Sequence, residues 1–138
     1  MQSKIEYLKV DTLHPNVYIE VMRQSGLGEQ RPVDDPDRIA RMLQNSNLIL
    51  LARDTETNAV VGVARSVTDY AWCCYLSDLA VSKSHQGRGI GTRLIEETRR
   101  AAGPESMCLL IAAPGALSFY QTIGMPPVDN AFMHKREK

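Results

Sequence analysis

Three glycines at alternate positions form the stretch of the sequence with the clearest chemical meaning. They are Gly87, Gly89 and Gly91 in SHQGRGIGTRL, directly before a run with helical spacing. Glycine has no Cβ, so the backbone can turn tightly and direct several N–H groups at one point, and the helix start adds the positive end of its dipole. The stretch therefore predicts an anion site, most often for phosphate, to which Arg88 and Arg93 can add charge.

Two common phosphate-binding motifs do not fit this loop. A P-loop ends in Gly-Lys followed by Ser or Thr, whereas Gly91 is followed by Thr92 and Arg93. The dinucleotide fingerprint GxGxxG fails because the run that starts at Gly89 ends in Leu94, and because the loop lies late in the chain. For the hexapeptide QGRGIG taken alone, a tight connection that binds nothing stays open as the alternative.

One carboxylate lies where acid–base chemistry could use it. Asp78 is inside an otherwise apolar strand, YLSDLAV, where a carboxylate costs free energy unless it has a partner or faces a cleft. Two interpretations stay open: a general base, or a structural group paired with an arginine such as Arg65. Strict alternation puts Asp78 on the same strand face as Cys74, Leu76 and Ala80, unless a bulge changes the register.

The thiols and imidazoles do not predict a catalytic or metal site. Cys73, Cys74 and Cys108 have neither the CxxC spacing of a redox or zinc site nor the pattern of a disulfide framework. We expect them to be reduced thiols that pack as small apolar side chains. His14 and His134 show no ligand spacing, so we expect no metal ion.

The strands and helices that must position these residues follow one another in an order that indicates the fold. A strand at 5–10 precedes helices at 16–24 and 36–45, and Asp35 is expected to cap the second helix. NLILLARD and AVVGVARSV predict a β-hairpin, and WCCYLSDLAV predicts a strand that leads into the glycine loop. The order is completed by a helix at 90–102, a strand at 107–113 and a short helix at 116–122.

The sequence of strand, glycine loop, helix and strand is a βαβ unit. Its two strands are expected to be parallel with a right-handed crossover, and the preceding hairpin adds antiparallel neighbours. A chain of 138 residues is long enough for one hydrophobic core and too short for two ordinary domains. We therefore predict a single α/β domain over residues 1–138, with a mixed sheet covered by helices.

The glycine loop and its neighbours resemble the GNAT superfamily of acetyltransferases. QGRGIG matches the family signature Gln/Arg-x-x-Gly-x-Gly/Ala, with Gln86, Gly89 and Gly91 at the defining positions. Upstream, LSDLAVSKSHQ is similar to the family's fourth strand and pyrophosphate loop, and downstream ALSFYQTIGM is similar to its AxxFYxxxGF segment. The likeness is continuous over residues 71–125. One departure is Gly115, which stands where the family often has asparagine.

The resemblance implies a fold and a binding mode for acetyl-coenzyme A (acetyl-CoA), used as a co-substrate without a metal ion. In that fold a mostly antiparallel sheet opens where its parallel pair, the fourth and fifth strands, splays apart, and acetyl-CoA lies in the opening. The pantetheine arm is then expected along Leu79, Ala80 and Val81. The pyrophosphate is expected on Gln86, Gly87, Arg88, Gly89, Ile90, Gly91 and Thr92.

The resemblance also implies catalytic roles. Acetyl transfer to nitrogen needs a neutral amine, a polarised thioester carbonyl and a proton for the departing thiolate. In the family, a tyrosine at the position of Tyr120 acts as general acid beside the sulfur, and a strand amide near Leu79 binds the thioester oxygen. Asp78 is then a candidate to accept the proton of the amine or to hold the ammonium group. Acceptor contacts are implied in the loop between the first two helices, at Arg31, Asp34 and Asp35.

The predicted activity is that of an acyltransferase. The resemblance implies an N-acetyltransferase that moves an acetyl group from acetyl-CoA to a primary amine of a small molecule or peptide, by direct attack in a ternary complex. The alternative is a non-catalytic CoA-binding sensor or regulatory domain with the same fold. A third interpretation is a phosphate or nucleotide binder without acyl chemistry.

Composition limits the partners that we expect. The 16 basic residues balance 16 acidic ones, which argues against a protein that coats nucleic acid or an anionic membrane. The start MQSKIEYLKV lacks the apolar run of a signal peptide, and no stretch approaches the ~20 apolar residues of a membrane span. We therefore expect a cytoplasmic protein whose partner is its amine acceptor. The family resemblance is also compatible with a homodimer.

Overall fold

A computed structural model describes residues 3–138 of the chain. The elements in chain order are β1 Ile5–Val10, α1 Pro15–Ser25, α2 Pro36–Gln44, β2 Leu48–Asp54, β3 Val60–Thr68, β4 Cys73–Val81, α3 Ile90–Ala102, β5 Met107–Leu109 and α4 Leu117–Thr122. Short 3-10 turns follow α1 at Leu27–Gln30 and β4 at Lys83–His85. The strands of these residues form one sheet in the order β1-β2-β3-β4-β5, antiparallel except for the β4 and β5 pair. The predicted α/β fold with a mixed sheet is therefore confirmed.

The helix ends follow their local sequence. Asp35 caps α2, as predicted, by accepting a hydrogen bond from the amide of Arg38 at 3.1 Å. Pro36 occupies the first turn of α2, where a missing N–H group does no harm. The first helix, α1, ends at Gly26, whose φ of 89° lies in the left-handed region that glycine adopts without strain.

Helices cover both faces of the sheet, and each face has its own core. One core lies under α3, where Leu94 and Ile95 pack against strand residues such as Leu50. The other lies under α1 and α2, where Tyr18 and Ile39 join residues of β2 and β3. Because both faces are covered, β2 and β3 are buried along almost their whole length. No helix within residues 3–138 has the length and apolar character needed to cross a membrane.

An extra residue in β4 changes the face on which its side chains lie. Arg65 of β3 pairs with Asp78, but the next residue of β3 pairs with Leu76. The residue between them, Ser77, has no partner across the ladder, which defines a β-bulge. Leu76 belongs to the core under α3, whereas Ala80 belongs to the core under α1 and α2. Strict alternation, which put Leu76, Asp78 and Ala80 on one face unless a bulge changed the register, therefore does not hold in β4, and the exception applies.

The parallel strand pair is shorter than predicted. The strand expected at 107–113 ends at Leu109, so only residues 73–75 of β4 pair with β5. Pro114 and Gly115, which has a φ of 84°, turn the chain into α4 soon afterwards. The second half of β4 thus has β3 on one side and, among residues 3–138, no strand on the other, which leaves the sheet open at this point.

Candidate active site

A cavity of about 730 Å³ lies where β4 separates from the chain that follows β5. Its walls are the end of β4, the glycine loop with the start of α3, the turn before α4, and the segment after α1. Tyr120 of α4 lines the same cavity. The predicted acetyl-CoA residues on its wall are Leu79, Ala80, Val81, Gln86, Gly87, Gly89, Ile90, Gly91 and Thr92.

The three glycines of the loop have two different structural roles. Gly87 and Gly89 both have a φ of 79°, a backbone conformation that other L residues rarely adopt. Gly91 lies inside α3, and a Cβ atom there would be 3.0 Å from Cζ of Phe119. The first two glycines therefore shape the loop, and the third allows α4 to pack closely against α3.

The loop presents backbone amides that no other described residue of the protein uses. Among the described residues, the N–H groups of 87–92 donate to neither a carbonyl nor a side chain, and the next amide, that of Arg93, bonds to the carbonyl of Gly89 at 3.0 Å. These free amides lie at the positive end of the dipole of α3. They therefore fit a pyrophosphate group, whose oxygens accept several N–H hydrogen bonds at once.

The longer side chains of the loop hydrogen-bond to carbonyl groups of the protein. The side-chain amide of Gln86 donates to the carbonyl of Val81 at 2.9 Å. The guanidinium of Arg88 donates to the carbonyl of Ser3, at the start of the chain segment that leads into β1. Arg88 is the one predicted acetyl-CoA residue that does not line the cavity. Its side chain is therefore not placed to contact a ligand there, and the loop presents mainly backbone.

His85 ties the loop to the β2 and β3 hairpin. Its Nε2 lies 2.8 Å from Oδ2 of Asp54, which also accepts a hydrogen bond from the Ser3 hydroxyl at 2.6 Å. Hydrogen bonds from Ser3 and from His85 hold the pKa of Asp54 well below its usual range. The charged carboxylate thus anchors one side of the loop. The sequence did not indicate this pair, because its members are 31 positions apart.

Tyr120 is a half-buried side chain of α4 with an available hydroxyl. Its ring packs edge-on against Phe119, with the centroids 5.1 Å apart. Burial raises the pKa of Tyr120, and the positive charge of Arg31 opposes part of that shift. The hydroxyl is therefore protonated at neutral pH. It has no hydrogen-bond partner among residues 3–138, so it is free to donate to a ligand.

Asp78 is fully buried and surrounded by donors. Its Oδ2 accepts hydrogen bonds from the Tyr18 hydroxyl at 2.6 Å and from Nε of Arg65 at 2.5 Å. Its Oδ1 accepts one from Nε of Arg31. Burial alone raises the pKa of Asp78, but the two guanidinium groups and the hydroxyl outweigh it and hold the pKa below its usual value. Of the two roles that the sequence left open, the geometry favours the structural pairing over proton transfer.

The loop between α1 and α2 brings one of the three expected acceptor contacts to the site. Arg31 lines a small cavity of about 40 Å³ together with Tyr120. Asp34 instead pairs with Arg23 on the surface, with the two charged groups 3.2 Å apart. Asp35 is occupied as the cap of α2. Of the three residues of this loop that were expected to contact the acceptor, Arg31 is therefore the one that remains a candidate.

Glu29 is a carboxylate on the wall of the large cavity that the sequence did not single out. It lies in the 3-10 turn Leu27–Gln30, which begins where Gly26 ends α1. The surrounding letters SGLGEQ indicate only a turn. The position of Glu29 depends on how α1 packs against β4, and no local pattern records that packing.

The cysteines lie away from the cavity wall and are unpaired. Burial raises the pKa of Cys108 to about 11, so this thiol is protonated at neutral pH. Within residues 3–138, no three His, Cys, Asp or Glu side chains lie close enough together to hold a metal ion. The acid–base groups of the cavity are therefore tyrosine, histidine and glutamate.

Comparisons with known proteins agree on one family. The family model described as the Acetyltransferase (GNAT) family matches residues 16–125. An uncharacterized N-acetyltransferase, ycf52-like, of Prochlorococcus marinus is 29% identical over an alignment 112 positions long that covers 78% of this chain. The chain spans 61% of the length of that relative.

Solved structures show the same fold. A GNAT family acetyltransferase of Streptococcus pneumoniae TIGR4 has a TM-score of 0.74 at 23% identity and covers 97% of this chain and 100% of its own. An aminoglycoside N-acetyltransferase solved in complex with CoA has a TM-score of 0.71 at 15% identity, with coverage of 100% and 98%. The predicted GNAT-like arrangement of the sheet and its flanking helices is thus confirmed.

Proposed function

Because the chain belongs to the GNAT family of acetyltransferases, we propose that it transfers an acetyl group from acetyl-CoA to a primary amine. The acceptor is an amine of a small molecule or peptide, which attacks the thioester directly while both substrates are bound. The observation that carries this proposal is the large cavity, where unused amides, an open strand edge and a protonated tyrosine hydroxyl meet. The CoA complex of the structurally similar aminoglycoside N-acetyltransferase supports acetyl-CoA as the donor.

Binding of the donor would rest mainly on backbone groups. The pyrophosphate would accept hydrogen bonds from the free amides of 87–92, where the positive end of α3 adds to the attraction. The pantetheine arm carries amide groups, and these would pair with the open edge of β4 at Leu79, Ala80 and Val81. The cavity is widened opposite this edge by small residues, among them Ala113 and Gly115.

The transfer step needs an electrophile, a nucleophile and a proton donor near one another. A backbone N–H group of β4 near Leu79 would bind the thioester oxygen and polarise the carbonyl. The amine nitrogen then bonds to the carbonyl carbon, and the bond from carbon to sulfur breaks. Tyr120 would donate its hydroxyl proton to the departing thiolate, which its raised pKa permits because the hydroxyl stays protonated at neutral pH.

The proton of the acceptor's ammonium group needs a different carboxylate from the one first expected. Asp78 is a weak base, since its pKa is lowered and its oxygens are already hydrogen-bonded. We assign it a positioning role, in which it holds Arg31 beside the site. Glu29 lies on the cavity wall and is solvent-exposed, so it can receive the proton directly or through water.

The proposal is tested by following release of free CoA thiol from acetyl-CoA in the presence of a broad panel of primary amines. We expect at least one amine to raise the rate clearly above hydrolysis without acceptor. Calorimetry should show that acetyl-CoA binds in preference to ATP and NAD. Tight CoA binding without amine-dependent turnover would instead favour a non-catalytic CoA-binding domain. Preference for either nucleotide would contradict the acetyltransferase assignment altogether.

A further inference from the structure

A second, smaller cavity adjoins the proposed active site. It has a volume of about 40 Å³, room for about three water-sized groups. Its wall shares Leu79 and Tyr120 with the large cavity, so a group bound in it would lie close to the proposed reacting atoms. Most of the remaining wall is apolar, including Leu76, Leu110 and Ile111.

Arg31 is the single charged residue among the described residues that line this small cavity. Its guanidinium is held in one orientation, because Nη1 donates to the carbonyl of Gln30 and Nη2 to the carbonyl of Ser77, both at 2.8 Å, while Nε donates to Asp78. Three of the five N–H groups of the guanidinium are thus used. The others are available to a ligand, and the side chain needs no further ordering to present them.

The buried ion cluster behind Arg31 leaves one positive charge uncompensated. Among residues 3–138, Asp78 is the only carboxylate paired with either Arg31 or Arg65. The side chain of Arg65 is 9% exposed, while that of Arg31 is 20% exposed. Arg31 therefore presents the excess charge, on a cavity wall that is otherwise mostly apolar, where a charge-assisted hydrogen bond to an anion is stronger than a neutral one.

We propose that the acceptor carries a carboxylate, which an apolar segment joins to its amine group, and that Arg31 binds this carboxylate in the small cavity. This proposal rests on the proposed function. A planar guanidinium matches the two oxygens of a carboxylate, and the apolar wall matches the connecting segment. Glu29 on the wall of the large cavity forms no ion pair with Arg31 and offers a separate position for the ammonium group. A polycationic acceptor would instead place ammonium groups near an uncompensated guanidinium.

The test compares matched pairs of acceptors under acetyl-CoA saturation. Amino acids whose amine and carboxylate are separated by increasing numbers of methylene groups are each paired with their own primary amide. At the chain length that fits best, we expect kcat/KM for the acid to exceed that for the amide by at least about tenfold, the scale of a charge-assisted hydrogen bond. An aminoglycoside such as sisomicin should be a poorer acceptor than the best amino acid.

Two variants test whether Arg31 causes the preference for the acid over its amide. Arg31→Gln should raise KM for the acid about tenfold or more and bring kcat/KM for the acid close to that for its amide; because the two acceptors are compared in the same variant, any general effect on turnover cancels in the ratio. Arg31→Lys keeps the charge and should lose only part of the preference, which gives a second measurement where the glutamine variant folds poorly. Arg23→Gln is the matched control, because Arg23 lines neither cavity, and it should leave the preference intact.

The outcomes separate this inference from the function on which it rests. Absence of turnover with every amine would overturn the proposed function, and the acceptor assignment with it. Turnover at equal efficiency for each acid and its amide, or better turnover of the aminoglycoside, would overturn the acceptor assignment while leaving the acetyltransferase function in place. A preference that persists in Arg31→Gln would show that another group binds the carboxylate.

Discussion

The two cavities of the site are built from different kinds of atoms. The wall of the large cavity that we propose to bind the donor is mainly backbone: the free amides of 87–92 and the open edge of β4. The small cavity depends on side chains, in particular Arg31, which a buried carboxylate holds in place. A backbone site tolerates many substitutions and suits a ligand that is always the same. A side-chain site can change its ligand through one substitution, which suits the acceptor.

The largest effect is expected when the support of the small cavity is removed. Asp78→Asn takes away the carboxylate shared by Arg31 and Arg65 and leaves the buried guanidinium of Arg65 beside the partly exposed one of Arg31, which should cost roughly 3–5 kcal/mol of unfolding free energy. Urea unfolding at neutral pH measures this change. Asp34→Asn, which breaks the exposed pair with Arg23, is the control and should change stability little. Equal effects of the two substitutions would contradict the proposed importance of the buried cluster.

A smaller loss is expected from the hydroxyl that the two cavities share. Tyr120→Phe should lower kcat about a hundredfold with little change in the affinity for acetyl-CoA, because only proton donation is removed. Tyr75→Phe is the control, since Tyr75 lines neither cavity. Because burial raises the pKa of Tyr120, the wild-type rate should not fall through loss of this proton until the pH exceeds about 10. An unchanged kcat in Tyr120→Phe would exclude the hydroxyl from the mechanism.

The backbone site should respond to a change of conformation more than to a change of side-chain chemistry. Gly89→Ala puts a Cβ on a residue with a φ of 79°, which should cost about 1–2 kcal/mol and weaken acetyl-CoA binding, measured by calorimetry. Gly103→Ala, at the other end of α3, also strains a positive φ, of 92°, but lies outside the cavity. It should therefore destabilise the fold without weakening binding. Full acetyl-CoA affinity in Gly89→Ala would contradict the backbone assignment.

The smallest effect is expected at the anchor of the glycine loop. The pKa of Asp54 is lowered in the folded state, so its charge contributes stability that is fully present above the usual carboxyl pKa and is lost as the pH falls through the lower folded value. Asp54→Asn should therefore lower the thermal unfolding midpoint modestly at neutral pH, and the difference should shrink as the pH falls below about 4. A difference that grows in acid would contradict this assignment.

The contrast between a cavity wall built from local backbone and one built from distant side chains also explains which features could be predicted from the sequence. The glycine loop and α3 are local, because QGRGIG, the helix that follows and its end at Gly103 depend on neighbouring residues. The glycine loop was therefore predictable from local sequence, and all of its residues from Gln86 to Thr92 except Arg88 line the large cavity. That these residues bind acetyl-CoA stays a prediction. The bond between Arg31 and Asp78 joins residues 47 positions apart, and no local pattern connects them.

The length of β5 also depends on contacts between distant parts of the chain, which local sequence does not reveal. Apolar letters continue beyond Leu109 and suggested a strand as far as residue 113, but a strand also needs a neighbour to pair with. Pairing is a property of the assembled sheet, and here β4 and the later chain diverge to enclose the large cavity. The error in the predicted length of β5 and the presence of the site thus have one cause.

The bulge at Ser77 shifts the phase of β4 by half a period. Before it, the buried side chains of the strand point toward α3, and after it they point toward α1 and α2. A strand of uniform phase would bury Asp78 on the side of α3, away from Tyr18 and Arg31. The additional residue therefore lets one continuous strand contribute to both faces of the sheet, with the core under α3 behind its first half and the charged cluster of Asp78, which we propose to support the acceptor site, behind its second.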